Sequence, residues 1–128
     1  MEEVKNTLDN YHQDIYKEGL LSEFKYLDSS NDFFWVPPGY AAAINYDSVR
    51  NILTKNAPAF RSIQNQFEML QIIPLSEKLS SYTGRIRSSM TDTAGKTTVI
   101  HLLETGVMIN RKNGWKLYHG QTSMLPQP

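Results

Sequence analysis

The sequence predicts an α+β fold, in which helices from the first half of the chain cover one face of a mainly antiparallel sheet. Two observations predict it. Apolar residues recur at helical spacing near the N-terminus, and from Phe60 onward they alternate with polar residues at the two-residue period of strands. Two turns divide the run from Lys78 to Met124 into three long strand-like segments. The length of 128 residues predicts one domain, covering residues 1–128.

Three helices and one short strand are predicted before the sheet. Gly19 ends the first helix, because glycine takes the left-handed cap conformation at low cost. The third helix is capped by Asn45 or Asp47, and it ends before Pro58 because the residue preceding a proline avoids helical geometry. The apolar residues of the four elements are Val4, Leu8, Tyr11 and Ile15, then Phe24 and Leu27, then Phe33 to Val36, and finally Val49, Ile52 and Leu53.

The strands of the second half are assigned to faces by their two-residue alternation. Asn113-Gly114 is a strong hairpin signal, and a second hairpin loop is predicted at residues 91–96. The segment from Thr97 to Ile109 is apolar on both faces, which predicts a central strand or an outer face covered by a partner. The residues predicted to share a face are Ile63, Phe67 and Met69 in one strand, and Trp115, Leu117, His119, Gln121 and Ser123 in the last.

Composition and charge argue against several classes of function. Thirteen basic residues balance thirteen acidic ones, so the basic excess typical of nucleic-acid-binding proteins is missing. No apolar run approaches the roughly 18 residues that span a bilayer, and the N-terminus is acidic, unlike a signal peptide. We therefore expect no nucleic-acid or membrane partner and a cytoplasmic location, unless a secretion leader has been trimmed away.

No motif for a cofactor or a metal is present. The sequence has no cysteine, no GxxxxGK phosphate loop, no GxSxG elbow and no HExxH helix. The three histidines, His12, His101 and His119, fall on three different predicted elements, and the last two are predicted to lie on opposite faces of the sheet. The sequence therefore predicts neither a cofactor nor a metal site.

Two stretches carry a resemblance to a known family. Residues 32–39 read Asp-Phe-Phe-Trp-Val-Pro-Pro-Gly and precede a helix, and in residues 114–123 a histidine, His119, follows Trp115 by four positions. With the order of elements, these stretches resemble the nuclear transport factor 2-like superfamily and, within it, the SnoaL-like group, which includes ketosteroid isomerase and polyketide cyclases. The resemblance implies a cone-shaped sheet wrapped around the N-terminal helices, with an apolar cavity between them.

His119 and Glu104 are the candidate catalytic residues. Histidine suits a general base near neutral pH, and a carboxyl group buried in the apolar strand around Glu104 would have a raised pKa and could carry a proton. Two alternatives stay open. His119 could be a hydrogen-bonded structural residue near a strand end. Glu104 could instead pair with Arg85 or Arg87 on a neighbouring strand.

Further residues are candidates for contact with a ligand. Tyr11 lies near the place of the oxyanion tyrosine of ketosteroid isomerase. Trp35 and Val36 occupy the place of that enzyme's proton-shuttling aspartate, and neither can move a proton. The candidate ligand-binding residues are Gln121, Tyr16, Tyr11, Trp35, Phe34, Arg85 and Trp115.

Two hypotheses about function follow. The first is a pocket protein that binds a small apolar or aromatic molecule and catalyses a cofactor-free acid–base step such as isomerisation, dehydration or cyclisation. The second is a non-catalytic ligand-binding or assembly domain that forms a homodimer through the outer sheet face. This hypothesis is based on the segment from Thr97 to Ile109, whose outward face is more apolar than a solvent-exposed sheet face should be. The outward residues are either Ile100, Leu102 and Met108 or Val99, Leu103, Val107 and Ile109.

Overall fold

A computed structural model describes residues 2–126 of the chain. Its elements are α1 (Glu2–Glu18), a 3-10 helix (Leu20–Lys25), β1 (Phe34–Val36), α2 (Tyr46–Asn56), a second 3-10 helix (Ala57–Ala59), β2 (Phe60–Pro74), β3 (Leu79–Asp92), β4 (Thr97–Arg111) and β5 (Gly114–Met124). The strands form one sheet in the order β1-β5-β4-β3-β2. Of these five strands, only β1 pairs in parallel, with β5. The predicted α+β fold with a mixed, mainly antiparallel sheet is confirmed.

The helices begin and end where the local sequence predicts. Gly19 follows α1 with a φ of 95°, a conformation that glycine adopts without steric cost. Asn45 caps α2, because its side-chain oxygen accepts a hydrogen bond from the Ser48 N–H at 2.9 Å. None of the helices in residues 2–126 is long and apolar enough to cross a bilayer.

The sheet has an inner face toward the helices and an outer face away from them. On β3, Tyr82 and Ile86 point inward and are buried, whereas Arg85 and Arg87 point outward and are exposed. The buried apolar residues of α1 pack against the inner face of the sheet and complete the core; they are Val4, Leu8, Tyr11 and Ile15. On β4 the outward set is Val99, Leu103, Val107 and Ile109, the second of the two alternatives left open by the sequence.

A β-bulge in β2 changes the face of Met69. The pairing partners shift between Phe67 and Met69, so Glu68 is an extra residue and the alternation restarts after it. Phe67 therefore packs inward against His12, with ring centroids 4.8 Å apart, while Met69 is 48% exposed. The prediction that Met69 shares the inner face with Ile63 and Phe67 is wrong for this reason.

A second bulge, in β5, has a larger effect on the site. Met108 pairs with Leu117 but Val107 pairs with His119, so Tyr118 is the extra residue. Trp115 and Leu117 point inward and are buried. Beyond the bulge the alternation is reversed, and His119, Gln121 and Ser123 lie on the outer face. The prediction of one shared face for Trp115 through Ser123 is therefore wrong, and so is the placement of His101 and His119 on opposite faces.

Candidate active site

A cavity of about 260 Å³ lies between the inner sheet face and the helices. Its volume exceeds the roughly 150 Å³ that holds a benzene molecule and falls below the ~300 Å³ lower end of drug-sized pockets. Most of its lining is apolar, and among residues 2–126 no Lys or Arg side chain lines it. Its polar side chains include Tyr11, His12, Glu23, Asn65, Glu104 and Thr122. The cavity therefore has the volume of one or two rings, and its described lining has no basic side chain to balance a negative charge.

Glu104 lies on β4 opposite Gly84 and is buried at the cavity. The Tyr82 hydroxyl donates to its Oε2 at 2.8 Å, and the Thr122 hydroxyl lies 2.8 Å from its Oε1. The Trp35 indole N–H donates to Thr122 Oγ1 at 2.9 Å. Because an indole nitrogen can only donate, Thr122 accepts from Trp35 and its own proton is directed to Glu104. Both carboxyl oxygens of Glu104 are thus engaged.

These contacts have opposing effects on the acidity of Glu104. Burial, the largest influence, raises the pKa of the Glu104 carboxyl above its ordinary value of 4.5, while the hydrogen bonds from Thr122 and Tyr82 lower it. The effect of burial on the pKa is the larger one, so the Glu104 carboxyl keeps its proton to a higher pH than an exposed glutamate does. The alternative in which Glu104 pairs with Arg85 or Arg87 is wrong, because both arginines lie on the outer face.

Glu23, in the first 3-10 helix, places a second carboxyl group on the same cavity. It accepts a short hydrogen bond from the Tyr11 hydroxyl through Oε1. The pKa of the Glu23 carboxyl is raised from 4.5 to about 7. Burial is the largest cause, the Tyr11 hydrogen bond lowers the pKa, and the charge of Glu104 raises it. Burial, with the charges of Glu23 and Glu104, also raises the pKa of Tyr11 well above 10.0. Glu23 is therefore poised to gain or lose a proton near neutral pH.

Sequence reasoning missed Glu23 and gave His12 no role except as a possible metal ligand. A signal for both exists in the helical spacing. Glu23 lies three residues after Leu20 and four before Leu27, and His12 lies four after Leu8 and three before Ile15. Each polar residue therefore lies on the apolar face of its own helix. A polar residue at such a core-facing position is a stronger indication of a functional role than an exposed charged residue.

His119, the candidate proton carrier, is not among the cavity-lining residues. Its Nε2 lies 2.7 Å from the carbonyl oxygen of Asp32, to which it donates. Its ring is stacked between Phe34 and Tyr118, with centroid distances of 4.0 and 3.9 Å. This geometry matches the alternative in which His119 is a hydrogen-bonded structural residue. Phe34, which stacks on His119, also lies on the outer face.

Two of the other candidate ligand-binding residues line the cavity, and the rest lie outside it. Tyr11 and Trp35 line the cavity. Tyr16 is 53% exposed, and Arg85 lies on the outer face with its Nε 3.4 Å from Glu68 Oε1. Outside the cavity, Gln121 donates to Ser123 at 3.2 Å and the Trp115 indole donates to Glu3 at 3.3 Å.

Trp35 forms one wall of the cavity because two glycines make room for it. A Cβ at Gly120 would lie 2.4 Å from Cη2 of Trp35, and a Cβ at Gly106 would lie 3.1 Å from the same atom. Only glycine at these positions lets the indole ring rest on β4 and β5. That placement brings its N–H to Thr122 and so connects β1 to Glu104.

No group of three or more His, Asp or Glu side chains in residues 2–126 is arranged to hold a metal ion.

Solved structures of similar fold come from several bacteria. A putative scytalone dehydratase from Novosphingobium aromaticivorans superposes with a TM-score of 0.84 at 11% identity, covering 98% of this chain and 84% of that one. A putative dehydratase of the NTF2-like family from Streptomyces avermitilis has a TM-score of 0.81 at 13% identity, with coverages of 98% and 97%. An NTF2-like superfamily protein from Salmonella enterica also has a TM-score of 0.81 at 13% identity, with coverages of 98% and 91%.

At these identities the likeness shows the cone-shaped fold alone. No curated protein sequence matches the chain. The family model described as a SnoaL-like domain matches residues 4–127, nearly the whole chain. The chain therefore belongs to the SnoaL-like domain family within the NTF2-like fold.

Proposed function

We propose that the cavity binds a small, uncharged, largely apolar molecule and that Glu23 transfers a proton to and from it without a cofactor. The observation that carries this proposal is the pair of carboxyl groups, Glu23 and Glu104, on the wall of one apolar cavity. Two carboxyls that interact in a low-dielectric site release their protons in separate steps. In such a pair one carboxyl stays ionised while the other exchanges its proton near neutral pH.

The hydrogen bonds assign different roles to the two carboxyls. Both oxygens of Glu104 accept protein donors, which leaves this group to hold charge and to set the pKa of its neighbour. Glu23 accepts through Oε1 from Tyr11, and its Oε2 has no partner within the described residues. A free oxygen on a group with a pKa of about 7 suits the proton carrier.

The simplest reaction is the removal of a proton from carbon next to a carbonyl group. The C–H bond breaks, its proton passes to the ionised Glu23, and the electron pair moves onto the carbonyl oxygen as an enolate. Return of the proton to another carbon completes an isomerisation. Loss of a neighbouring hydroxyl together with that proton, as water, completes a dehydration. Both outcomes balance without an oxidant, a reductant or a cofactor.

The properties of the cavity and the names of similar structures support this class of reaction. The largely apolar lining lowers the local dielectric, which strengthens the interactions of the few polar groups. Two of the similar structures are named as putative dehydratases. A dehydratase needs a group that takes a proton from carbon and returns it to the leaving hydroxyl, and Glu23 can do both in turn.

Hydrogen–deuterium exchange into 1-indanone tests the proposal without knowledge of the natural substrate. We expect the wild-type protein to accelerate exchange at the carbon next to the carbonyl, as followed by NMR in D₂O. Glu23→Gln removes the proton carrier and should reduce the acceleration by at least about 100-fold, the usual contribution of a general base. Glu77→Gln makes the same change at an exposed turn residue and serves as the control. Equal rates in wild type and Glu23→Gln would contradict the proposal.

The second candidate function, a dimeric assembly domain, has its own supporting observation. The outer face of β4 carries Val99, Leu103 and Val107, and Leu103 is 37% exposed. Met69 and Phe34 add exposed apolar side chains nearer the edges of the outer face, with exposed fractions of 48% and 40%. Exposed apolar side chains on a sheet face can form the centre of a protein–protein contact, with polar residues around them. The homodimer is compatible with catalysis in the cavity.

Sedimentation velocity tests the homodimer directly. We expect the wild-type protein to sediment as a dimer, and we expect Leu103→Arg to sediment as a monomer because it places a charge in the buried interface. Asn51→Arg, at an exposed polar position of α2, is the matched control and should leave the dimer intact. A wild-type monomer at concentrations up to about 100 μM, far above the Kd of a standard interface, would exclude this assembly.

A further inference from the structure

Ser88 places a hydroxyl group on the inner face of β3, in the wall of the cavity. The residue is 3% exposed and lines the cavity, as do Ile86 and Met90 on either side of it on the same face of the strand. Its neighbours across the strand pairs are Asn65 on β2 and Ile100 on β4. Because strands flank Ser88 on both sides and helices cover this face, the surface that its side chain keeps is surface of the cavity.

The Ser88 hydroxyl has no hydrogen-bond partner in residues 2–126, although it is not sealed off. Of its two cross-strand neighbours, Asn65 is held by His12 at 3.3 Å and Ile100 has no polar side-chain atom. The side-chain polar atoms of these residues that are sealed from water and lack a partner are His12 Nε2, Ser22 Oγ and Asn65 Oδ1. Ser88 Oγ is not among them, so it keeps accessible surface. That surface faces the cavity.

The other hydroxyl groups of the described cavity lining are already engaged. Tyr11 donates to Glu23, and Thr122 donates to Glu104. A hydroxyl has one hydrogen to donate, so neither is a free donor for a ligand. Within the described lining, the Ser88 hydroxyl is therefore the one that can both donate a hydrogen bond to a bound molecule and accept one from it.

Ser88 lies well away from the two carboxyl groups along the sheet. Glu104 pairs with Gly84 of β3, and Ser88 follows Gly84 by four residues, which is roughly 13 Å at the usual rise of a strand. Glu23 lies close enough to Glu104 for the charge of Glu104 to raise its pKa. The carboxyl pair and the Ser88 hydroxyl are therefore two separate polar positions of one apolar cavity.

We propose that Ser88 binds a second oxygen of the ligand, an uncharged hydroxyl or carbonyl group at the end remote from the reacting carbon. A serine hydroxyl donates to a carbonyl, and it donates to or accepts from a hydroxyl. A carboxylate or phosphate does not fit, because no Lys or Arg side chain among the described lining residues balances its charge. The ligand class is then a neutral ring ketone that carries a second oxygen opposite the ketone.

This inference rests on the proposed function, because it requires that the cavity takes a ligand and that the reacting end of the ligand faces Glu23. Ser88 is then a residue that determines specificity, and it takes no part in the proton transfer. Loss of the Ser88 hydroxyl should raise KM for a matching ketone and leave kcat unchanged, since the contact is the same before and during the reaction. Loss of the Glu23 carboxyl should instead remove exchange at carbon.

Two ketones that differ in one group test the assignment: 5-hydroxy-1-indanone and 5-methyl-1-indanone. Each has the ketone at one end, and the second has a methyl group in place of the hydroxyl. Calorimetric titration at pH 6, where the phenol is uncharged, gives the ratio of the two affinities. We expect Ser88→Ala to shift this ratio at least about fivefold against the hydroxy compound, the effect of losing one hydrogen bond inside the cavity.

Ser89→Ala is the matched control, because Ser89 is the next residue of β3 and points to the outer face. It should leave the ratio of affinities at its wild-type value, and so should Glu23→Gln. A crystal structure of the wild-type protein with 5-hydroxy-1-indanone needs no variant. It should place the ring hydroxyl within about 3 Å of Ser88 Oγ.

Three outcomes would each overturn the inference: an affinity ratio unchanged in Ser88→Ala, a ring hydroxyl that lies away from Ser88 in the complex, or failure of both ketones to bind. A ratio that responds to Ser88→Ala in a protein that does not exchange 1-indanone would overturn the proposed proton transfer by Glu23. It would leave the role of Ser88 in binding standing.

Discussion

At the scale of single residues, the site depends on which groups can donate and which can only accept. The Trp35 indole can only donate, so Thr122 must accept from it and donate its own hydroxyl hydrogen to Glu104. Tyr82 occupies the second oxygen of Glu104. Within residues 2–126, Glu23 Oε2 has no hydrogen-bond partner, and this difference, more than burial alone, makes Glu23 the proposed proton carrier and Glu104 its charged neighbour.

The raised pKa of Glu23 predicts how stability changes with pH. Its pKa is about 7 in the folded protein against 4.5 ordinarily, so its contribution to stability is fully present below pH 4.5 and is lost as the pH rises through about 7. His12 acts in the opposite direction. Its pKa is about 4 against 6.5, so its contribution is fully present above pH 6.5 and is lost as the pH falls through about 4.

Glu23→Gln should therefore flatten the alkaline side of the stability profile. We expect the wild type to lose up to about 3 kcal/mol of unfolding free energy between pH 5 and pH 8 through this one group, and the variant to lose much less. Urea unfolding at a series of pH values measures the difference, with Glu77→Gln as the control for the substitution. Parallel profiles for wild type and Glu23→Gln would show that the Glu23 carboxyl titrates normally.

At the scale of secondary-structure elements, two β-bulges decide which side chains reach the cavity. The order of helices and strands, the Asn45 cap and the Asn113-Gly114 hairpin could be predicted, because each depends on local spacing or on one turn residue. The bulges at Glu68 and Tyr118 could not. A bulge has no signature in the residue types of the strand. Its effect is that every side chain beyond the extra residue points to the opposite face of the sheet.

The bulge at Tyr118 leads to a prediction about His119. Because this residue stacks on Phe34 and binds the Asp32 carbonyl outside the cavity, His119→Ala should leave the exchange rate of 1-indanone within about twofold of wild type. It should lower stability by about 1 kcal/mol through the lost hydrogen bond and stacking. Exchange kinetics and urea unfolding of the same sample measure both effects. A loss of exchange comparable to that of Glu23→Gln would place His119 in the catalytic machinery after all.

At the scale of the whole molecule, the fold brings distant parts of the chain to one cavity. Glu23 comes from the first 3-10 helix, Glu104 from β4 and His12 from α1. Glu104 could be identified from the sequence because a lone carboxylate interrupts an apolar strand. Glu23 was harder to identify because it lies in a single short turn rich in polar neighbours, and only its spacing from Leu20 and Leu27 marks it as facing the core.

The most direct test of the account is the pKa of the Glu23 carboxyl, followed by carbon-13 NMR during a pH titration of the wild-type protein. We expect a midpoint of about 7, and we expect Glu104→Gln to lower that midpoint because it removes the neighbouring negative charge. Both results together would establish a coupled carboxyl pair in the cavity. A midpoint near the ordinary ~4.3 of a solvated glutamate, unchanged in Glu104→Gln, would contradict the account, because no proton carrier would then be available near neutral pH.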